Sequence, residues 1–364
     1  MTSRRILVLL AGGIFLAAAI TLAGGYNVAA SAGHWLPVKV LLHWTMRNSV
    51  TLRAGTPAPA DLDSEARAKA GAGHYDLVCR DCHGAPGVAL TAVARSLEPP
   101  PPHILAAVES WTAQELFWIV KHGIRMTAMP AWPAEHRDDE VWSVVAFLLR
   151  LPELDAEGYR RAVEGPPAGE AGETLPAELR AELARCARCH GYDGRGVGAS
   201  AQPRIDGMSA SYLHGALAAY ASGRRASGIM QSQASAVEWR HLEALARHYA
   251  GAGSAPQRVP AASPSGPRAG GASAGARIAR RGIPERKVPA CAACHGPTSH
   301  RRAVEYPPLA GQDAGYLERQ LRLFREGRRG GSAFAAIMTL AAQGLRDDDI
   351  AALARYYAGL GRGS

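Results

Sequence analysis

The stretch Cys291-Ala292-Ala293-Cys294-His295 has two earlier counterparts, Cys79-Arg80-Asp81-Cys82-His83 and Cys186-Ala187-Arg188-Cys189-His190. In each, two thiols stand about one helical turn apart and an imidazole follows at once. That spacing lets the thiols add across the two vinyl groups of a haem while the imidazole turns inward onto the iron. Five residues thus supply both attachment and one axial ligand. At the chain's own Cys and His frequencies a chance match arises at on the order of one position in 100,000, so three accidents are not credible. A zinc site would need four ligands brought together, and a redox dithiol has no use for histidine at the fifth place three times over. The sequence therefore reads as three covalently attached haem c groups held by Cys79, Cys82, Cys186, Cys189, Cys291 and Cys294, with His83, His190 and His295 on the irons.

A chain of 364 residues exceeds one ordinary core, and motifs spaced about a hundred residues apart imply three small domains. A porphyrin supplies each with apolar surface that so short a segment lacks. All six cysteines fall inside the motifs, leaving none for a disulfide, although haem attachment takes place on the oxidising, outer side of a bacterial inner membrane. The bulk of the chain is therefore expected in the periplasm. The formal charge of +9, carried mostly by Arg, falls to about +6 once ionised propionates are counted. Such a balance is an ordinary solvated face of an arginine-rich chain, or steers the protein toward an acidic partner. Nucleic acid is disfavoured by the compartment.

Arg4 and Arg5 precede an apolar run over 6–23, about the eighteen residues that suffice to cross a bilayer. Ala30-Ser31-Ala32 also fits a cleaved secretory signal. An uncleaved inner-membrane anchor over 1–25 is the favoured reading, because the run is long and His34, Trp35 and Trp44 follow where aromatic side chains sit at an interface. The positive residues put the N-terminus in the cytoplasm. Within a periplasmic connector over 26–60, residues 35–46 are expected to form a short amphipathic helix on the outer leaflet, with His43 and Met46 interfacial rather than iron ligands.

In the first haem domain, 61–155, Asp63 or Ser64 can cap a helix running into Cys79, and an apolar-periodic helix over 138–151 should cross it. Between them, Met126-Thr127-Ala128-Met129-Pro130-Ala131-Trp132 resembles the methionine loop of class I cytochromes c. That resemblance implies Met129 as the second ligand, with Met126 in the core and His122 structural. Residues 156–175 read as a linker.

The domains at 176–252 and 277–364 are copies of one another. Pro203-Arg204-Ile205-Asp206-Gly207 followed by Tyr212-Leu213 and Gly223-Arg224-Arg225 matches Pro307-Pro308-Leu309-Ala310-Gly311 followed by Tyr316-Leu317 and Gly327-Arg328-Arg329. After a four-residue difference Ile229-Met230 aligns with Ile337-Met338. Met208 then falls opposite Gln312 and is packing, whereas Met230 and Met338 are the ligands. His214, His241, His248 and His300 are read as ordinary. The pair resembles the bacterial dihaem cytochromes c of the c-four type, which implies that Pro203, and Pro307 or Pro308, offer the backbone carbonyl that orients the proximal imidazole. Between them, residues 253–276 form a Ser/Pro/Gly/Ala linker long enough to leave their docking open.

The fold expected is all-α, with three class I cytochrome c domains in tandem behind an N-terminal transmembrane helix. Three His/Met irons have six strong ligands each, which favours one-electron exchange over oxygen or peroxide chemistry. The expected function is an electron carrier, not an enzyme, working among redox proteins such as a terminal oxidase, a dehydrogenase or another cytochrome. Passage toward a terminal oxidase is the leading reading; a cytochrome subunit of a periplasmic dehydrogenase complex is the rival.

Overall fold

Every helix-forming pattern read above appears as a helix in the computed structural model, which describes residues 3–167, 176–197, 202–252, 273–296 and 305–360. Among the described residues there is no β-strand, only isolated bridges between Ala85 and Val88 and between Ile283 and Val288. Helix α1, Ser3–Leu22, carries no charge beyond Arg5 and buries none of its side chains. At 20 residues it is long and apolar enough to cross a membrane.

Helix α2, Leu36–Arg53, starts with Pro37 in its first turn, which suits the fixed proline φ. It runs seven residues past the predicted end at 46, because its second half has a protein surface to pack on. Val50 is buried, Arg47 lies over the Trp111 ring at 4.3 Å, and Thr51 donates to Glu115 at 2.6 Å. The connector expected over 26–60 is thus partly docked onto the first helical unit that follows it.

That unit is built from α3 (Glu65–His74), α4 (Ile104–Ser110), α5 (Ala113–His122) and α6 (Asp138–Arg150). Ser64 is the cap of α3, its hydroxyl accepting from the Arg67 N–H. The chain continues through a wide helical turn, Tyr75–Cys79, into Arg80–His83, so the helix delivers the first motif. Helices α3 and α6 touch at Gly71, where a Cβ would stand 2.1 Å from the Ser143 carbonyl oxygen; only glycine allows that approach. Phe117 stacks on Trp142 at 4.4 Å, and Tyr75, Phe147 and Leu151 complete the core.

The linker expected over 156–175 is corrected at its start. Residues Ala156–Val163 form α7, capped by Asp155, and bury Tyr159 and Val163 in the first core. The i, i+4 pair of apolar residues outweighs the surrounding Glu and Arg because it has a groove to enter.

The second unit contains α8 (Ala177–His190), α9 (Ala210–Ala221), α10 (Gly228–Ala234) and α11 (Leu242–Ala252), around Leu183, Leu213, Leu245 and Tyr249. The third contains α12 (Ala274–Arg281), the turn Ala292–His295, α13 (Ala314–Arg325), α14 (Ala335–Ala342) and α15 (Asp347–Ala358), around Ile278, Leu317, Phe324, Ile350 and Tyr357. The linker expected over 253–276 has its last three residues inside α12; residues 253–272, like His300, lie outside the described residues. The first cysteine of each motif packs against the apolar cluster of its own unit.

Candidate functional site

Each motif closes a helix, and the residue after each histidine is a glycine at positive φ: Gly84 at 67°, Gly191 at 71° and Gly296 at 66°. The chain turns away immediately, leaving the imidazole at the helix end. There each ring meets a proline carbonyl. His83 Nδ1 donates to Pro102 at 3.0 Å, His190 Nδ1 to Pro203 at 3.1 Å and His295 Nδ1 to Pro307 at 2.9 Å. A carbonyl oxygen only accepts, so Nδ1 carries the proton and Nε2 keeps a lone pair for a metal. Burial also holds His83 and His190 below the usual histidine range, which favours the neutral form a metal needs.

Between Pro307 and Pro308, which the repeat alone left open, the geometry selects Pro307. Pro102 was not legible from the motif. Its distance from the histidine is 19 residues, against 13 and 12 in the other two units, and the run Pro99-Pro100-Pro101-Pro102 was the signal.

None of the six cysteines pairs with another in a disulfide. Burial pushes Cys79 and Cys186 up to about 12 and Cys189 and Cys291 up to about 11. Burial at these positions favours the uncharged sulfur, the opposite of a reactive dithiol, whose thiolate needs stabilisation. Among the described residues no three His, Cys, Asp or Glu side chains converge closely enough to hold a bare metal ion, as a zinc site would require.

In the second unit a cavity of about 260 Å³ brings Cys186, Cys189, His190, Met208 and Met230 together with Tyr249. The Tyr249 hydroxyl is buried without a hydrogen-bond partner, and so is that of its repeat counterpart Tyr357. Two thiols, a neutral imidazole and a soft sulfur around an apolar space fit a haem c, whose iron would exchange single electrons when bound. The same cavity reaches Gly73 and His74 of the first unit and Tyr316 of the third.

Met129 is half-buried, its N–H donating to the Thr127 hydroxyl at 3.1 Å and its carbonyl accepting from Ile124 at 3.2 Å. Met126 is 80% exposed. Met338 is half-buried against the third core, while Met208 is buried with Leu183, Leu213 and Leu245. The competing histidines are placed elsewhere. His122 lies exposed beside Trp118, His43 is exposed, His241 bonds Glu182 at 2.9 Å and His248 bonds the Tyr192 carbonyl at 2.8 Å.

Helical units whose C-x-x-C-H turns end in a proline-held imidazole define a c-type cytochrome with covalently bound haem. A family model described as cytochrome c oxidase, cbb3-type, subunit III matches residues 66–148, and one described as cytochrome c matches 172–243 and 272–360. The chain is 35% identical over 219 residues to the thiosulfate dehydrogenase electron acceptor of Stutzerimonas stutzeri, covering 60% of this chain and 93% of that protein. It is 34% identical to the protein of that description from Thiomonas intermedia, over 49% of this chain and 79% of the relative. It is 31% identical to cytochrome c4 of Thiocapsa roseopersicina, over 53% and 95% of the two chains. The chain belongs to the multihaem cytochromes c and is an electron-transfer protein.

Proposed function

We propose that the chain carries three haem c groups, ligated by His83 and Met129, His190 and Met230, and His295 and Met338. Through them it passes single electrons from a periplasmic dehydrogenase toward a terminal oxidase. The observation that carries this reading is the repeated imidazole geometry, in which a proline carbonyl holds the proton on Nδ1 at the end of each motif, so that Nε2 is the nitrogen with a lone pair to offer iron. Three apolar clusters, each containing the first thiol of one motif, support one haem domain per motif, with the first extended to about residue 165 by α7.

The donor side is supported by the relatives described as electron acceptors of thiosulfate dehydrogenase, which favour a thiosulfate-oxidising partner. The oxidase side is supported by the match of the first unit to an oxidase subunit model. The same relatives favour the reading as a subunit of a dehydrogenase complex if the partner stays bound; copurification separates a transient from a permanent partner.

Helix α1 as an inner-membrane anchor is supported by its length and by α2, whose first half exposes Leu36, Val40, Leu41 and Trp44 next to it in the chain. In this arrangement the N-terminus is cytoplasmic and the haem units are periplasmic.

Mass analysis of the mature protein and pyridine haemochrome quantitation should give three haems per chain, and the oxidised protein should show the weak near-infrared sulfur-to-iron band. Rapid mixing with a thiosulfate-reduced dehydrogenase should reduce the haems faster than thiosulfate alone. Fewer than three additions, or a bis-imidazole spectrum, would overturn the assignment.

A further inference from the structure

We infer that Glu140, in the first haem unit, is a positioning residue for the sulfur of Met230 in the second, so that a neighbouring domain completes the second haem site. The inference rests on Met230 being the ligand proposed above.

Met230 lies in the first turn of α10, and that turn is tied down from outside its own unit. Glu140 is 6% exposed, and its carboxylate accepts from the Ser227 hydroxyl, from the Gly228 N–H at 2.7 Å and from the Ile229 N–H at 3.4 Å. The Ser227 oxygen in turn accepts from the Met230 N–H at 3.0 Å, so the ligand's own backbone is one bond removed from the carboxylate.

Arg137 fixes both sides of this contact. One guanidinium nitrogen pairs with Glu140 at 2.7 Å, and the other donates to the Ala226 carbonyl at 3.2 Å. Gly228 lies flat against Trp132, where a Cβ would stand 2.2 Å from the indole. Four consecutive residues before Met230 are therefore bonded or packed by the first unit, and Glu140 lines the cavity that holds His190 and Met230.

Among the described residues the third unit shows no counterpart of this arrangement. Helix α14 begins without a side-chain cap, and the Met338 N–H donates to the Phe334 carbonyl of its own unit at 3.1 Å. A thioether is a weak, neutral ligand whose hold on iron depends on the segment that presents it. Removing the carboxylate leaves buried donors unsatisfied and the first turn of α10 free to move.

The test uses full-length holoprotein with Met230→Leu, Glu140→Ala, Glu140→Gln and Ser227→Ala. It reads the near-infrared sulfur-to-iron band, the three potentials and carbon monoxide binding to the reduced form. Met230→Leu should remove about a third of the band. Glu140→Ala should remove the same third and open one haem to carbon monoxide while the other two potentials stay in place. Glu140→Gln, which keeps one carbonyl acceptor, should keep the band and shift one potential, as should Ser227→Ala. A full band in Met230→Leu would overturn the ligand assignment and with it this inference. Loss of a third in Met230→Leu, with unchanged band and potentials in the Glu140 and Ser227 variants, would overturn the inference alone. Should Glu140→Ala fail to fold, Ser227→Ala and Glu140→Gln decide by the same criteria.

Discussion

His74 shows how far a single side chain can be committed before any cofactor is considered. It lies at the end of α3, 4% exposed, with its ring 4.8 Å from that of Trp132 and its Nδ1 buried without a partner. Burial lowers its pKa from 6.5 to about 4. The folded protein therefore favours neutral His74, whereas the unfolded chain takes up a proton as pH falls through 6.5. This contribution to stability is complete above pH 6.5 and is lost progressively as pH falls to about 4, a loss of about 3 kcal/mol. Denaturant unfolding of the oxidised protein at a series of pH values should show that slope, and His74→Phe should flatten it; an unchanged slope in the variant would place the effect elsewhere. At this scale the three C-x-x-C-H motifs stand out in the sequence because the chemistry they suit fixes their spacing. Glu140 was not, since Asp138-Asp139-Glu140 reads as an ordinary acidic helix start and its partners lie 87 to 89 residues away.

Helices α3 and α6 were legible from caps and apolar periodicity, and their crossing depends on one missing methyl group. Gly71→Ala should cost about 2 kcal/mol or more, because the added Cβ meets backbone at the Ser143 carbonyl, which cannot rotate away as a side chain would. Gly215→Ala, in α9, is the contrasting case. Nothing lies within 4 Å of its Cβ position, so relief of helix-interior glycine should stabilise by about 0.5–1 kcal/mol. Thermal unfolding of the two variants should move in opposite directions; a destabilised Gly215→Ala would contradict the open space seen there. Elements that the sequence pattern shortened or missed, the second half of α2 and all of α7, share a cause. Their buried apolar residues are few, Val50 in one and Tyr159 with Val163 in the other, and helix formation there is decided by the surface of the first unit.

Between units, polar side chains reach across to the second motif and to the segment that carries its proline acceptor. Asp76, buried in the first unit, accepts from Arg80 at 2.7 Å, from Tyr159 at 2.8 Å and from Arg188, which stands between the two cysteines of the second motif. From the other side, Gln312 of the third unit takes the Arg204 N–H at 2.8 Å and returns its own amide N–H to the Arg204 carbonyl at 2.8 Å. Thus the linker composition left the docking of these units open, and a residue that the repeat marks only as the counterpart of Met208 settles it. Arg204 directly follows Pro203, the acceptor for His190 Nδ1. With His190 on the iron as proposed, that hydrogen bond would make the imidazole a stronger donor, stabilising the ferric form and lowering the potential. Gln312→Met, which restores the repeat's other residue at similar volume, removes both bonds to Arg204 and frees the proline carbonyl to drift. Redox titration should then show one of the three potentials shifted upward with the other two fixed, and small-angle scattering should show the second and third units further apart. If the units separate while all three potentials hold, Pro203 keeps its place without Gln312, and the clamp serves docking alone.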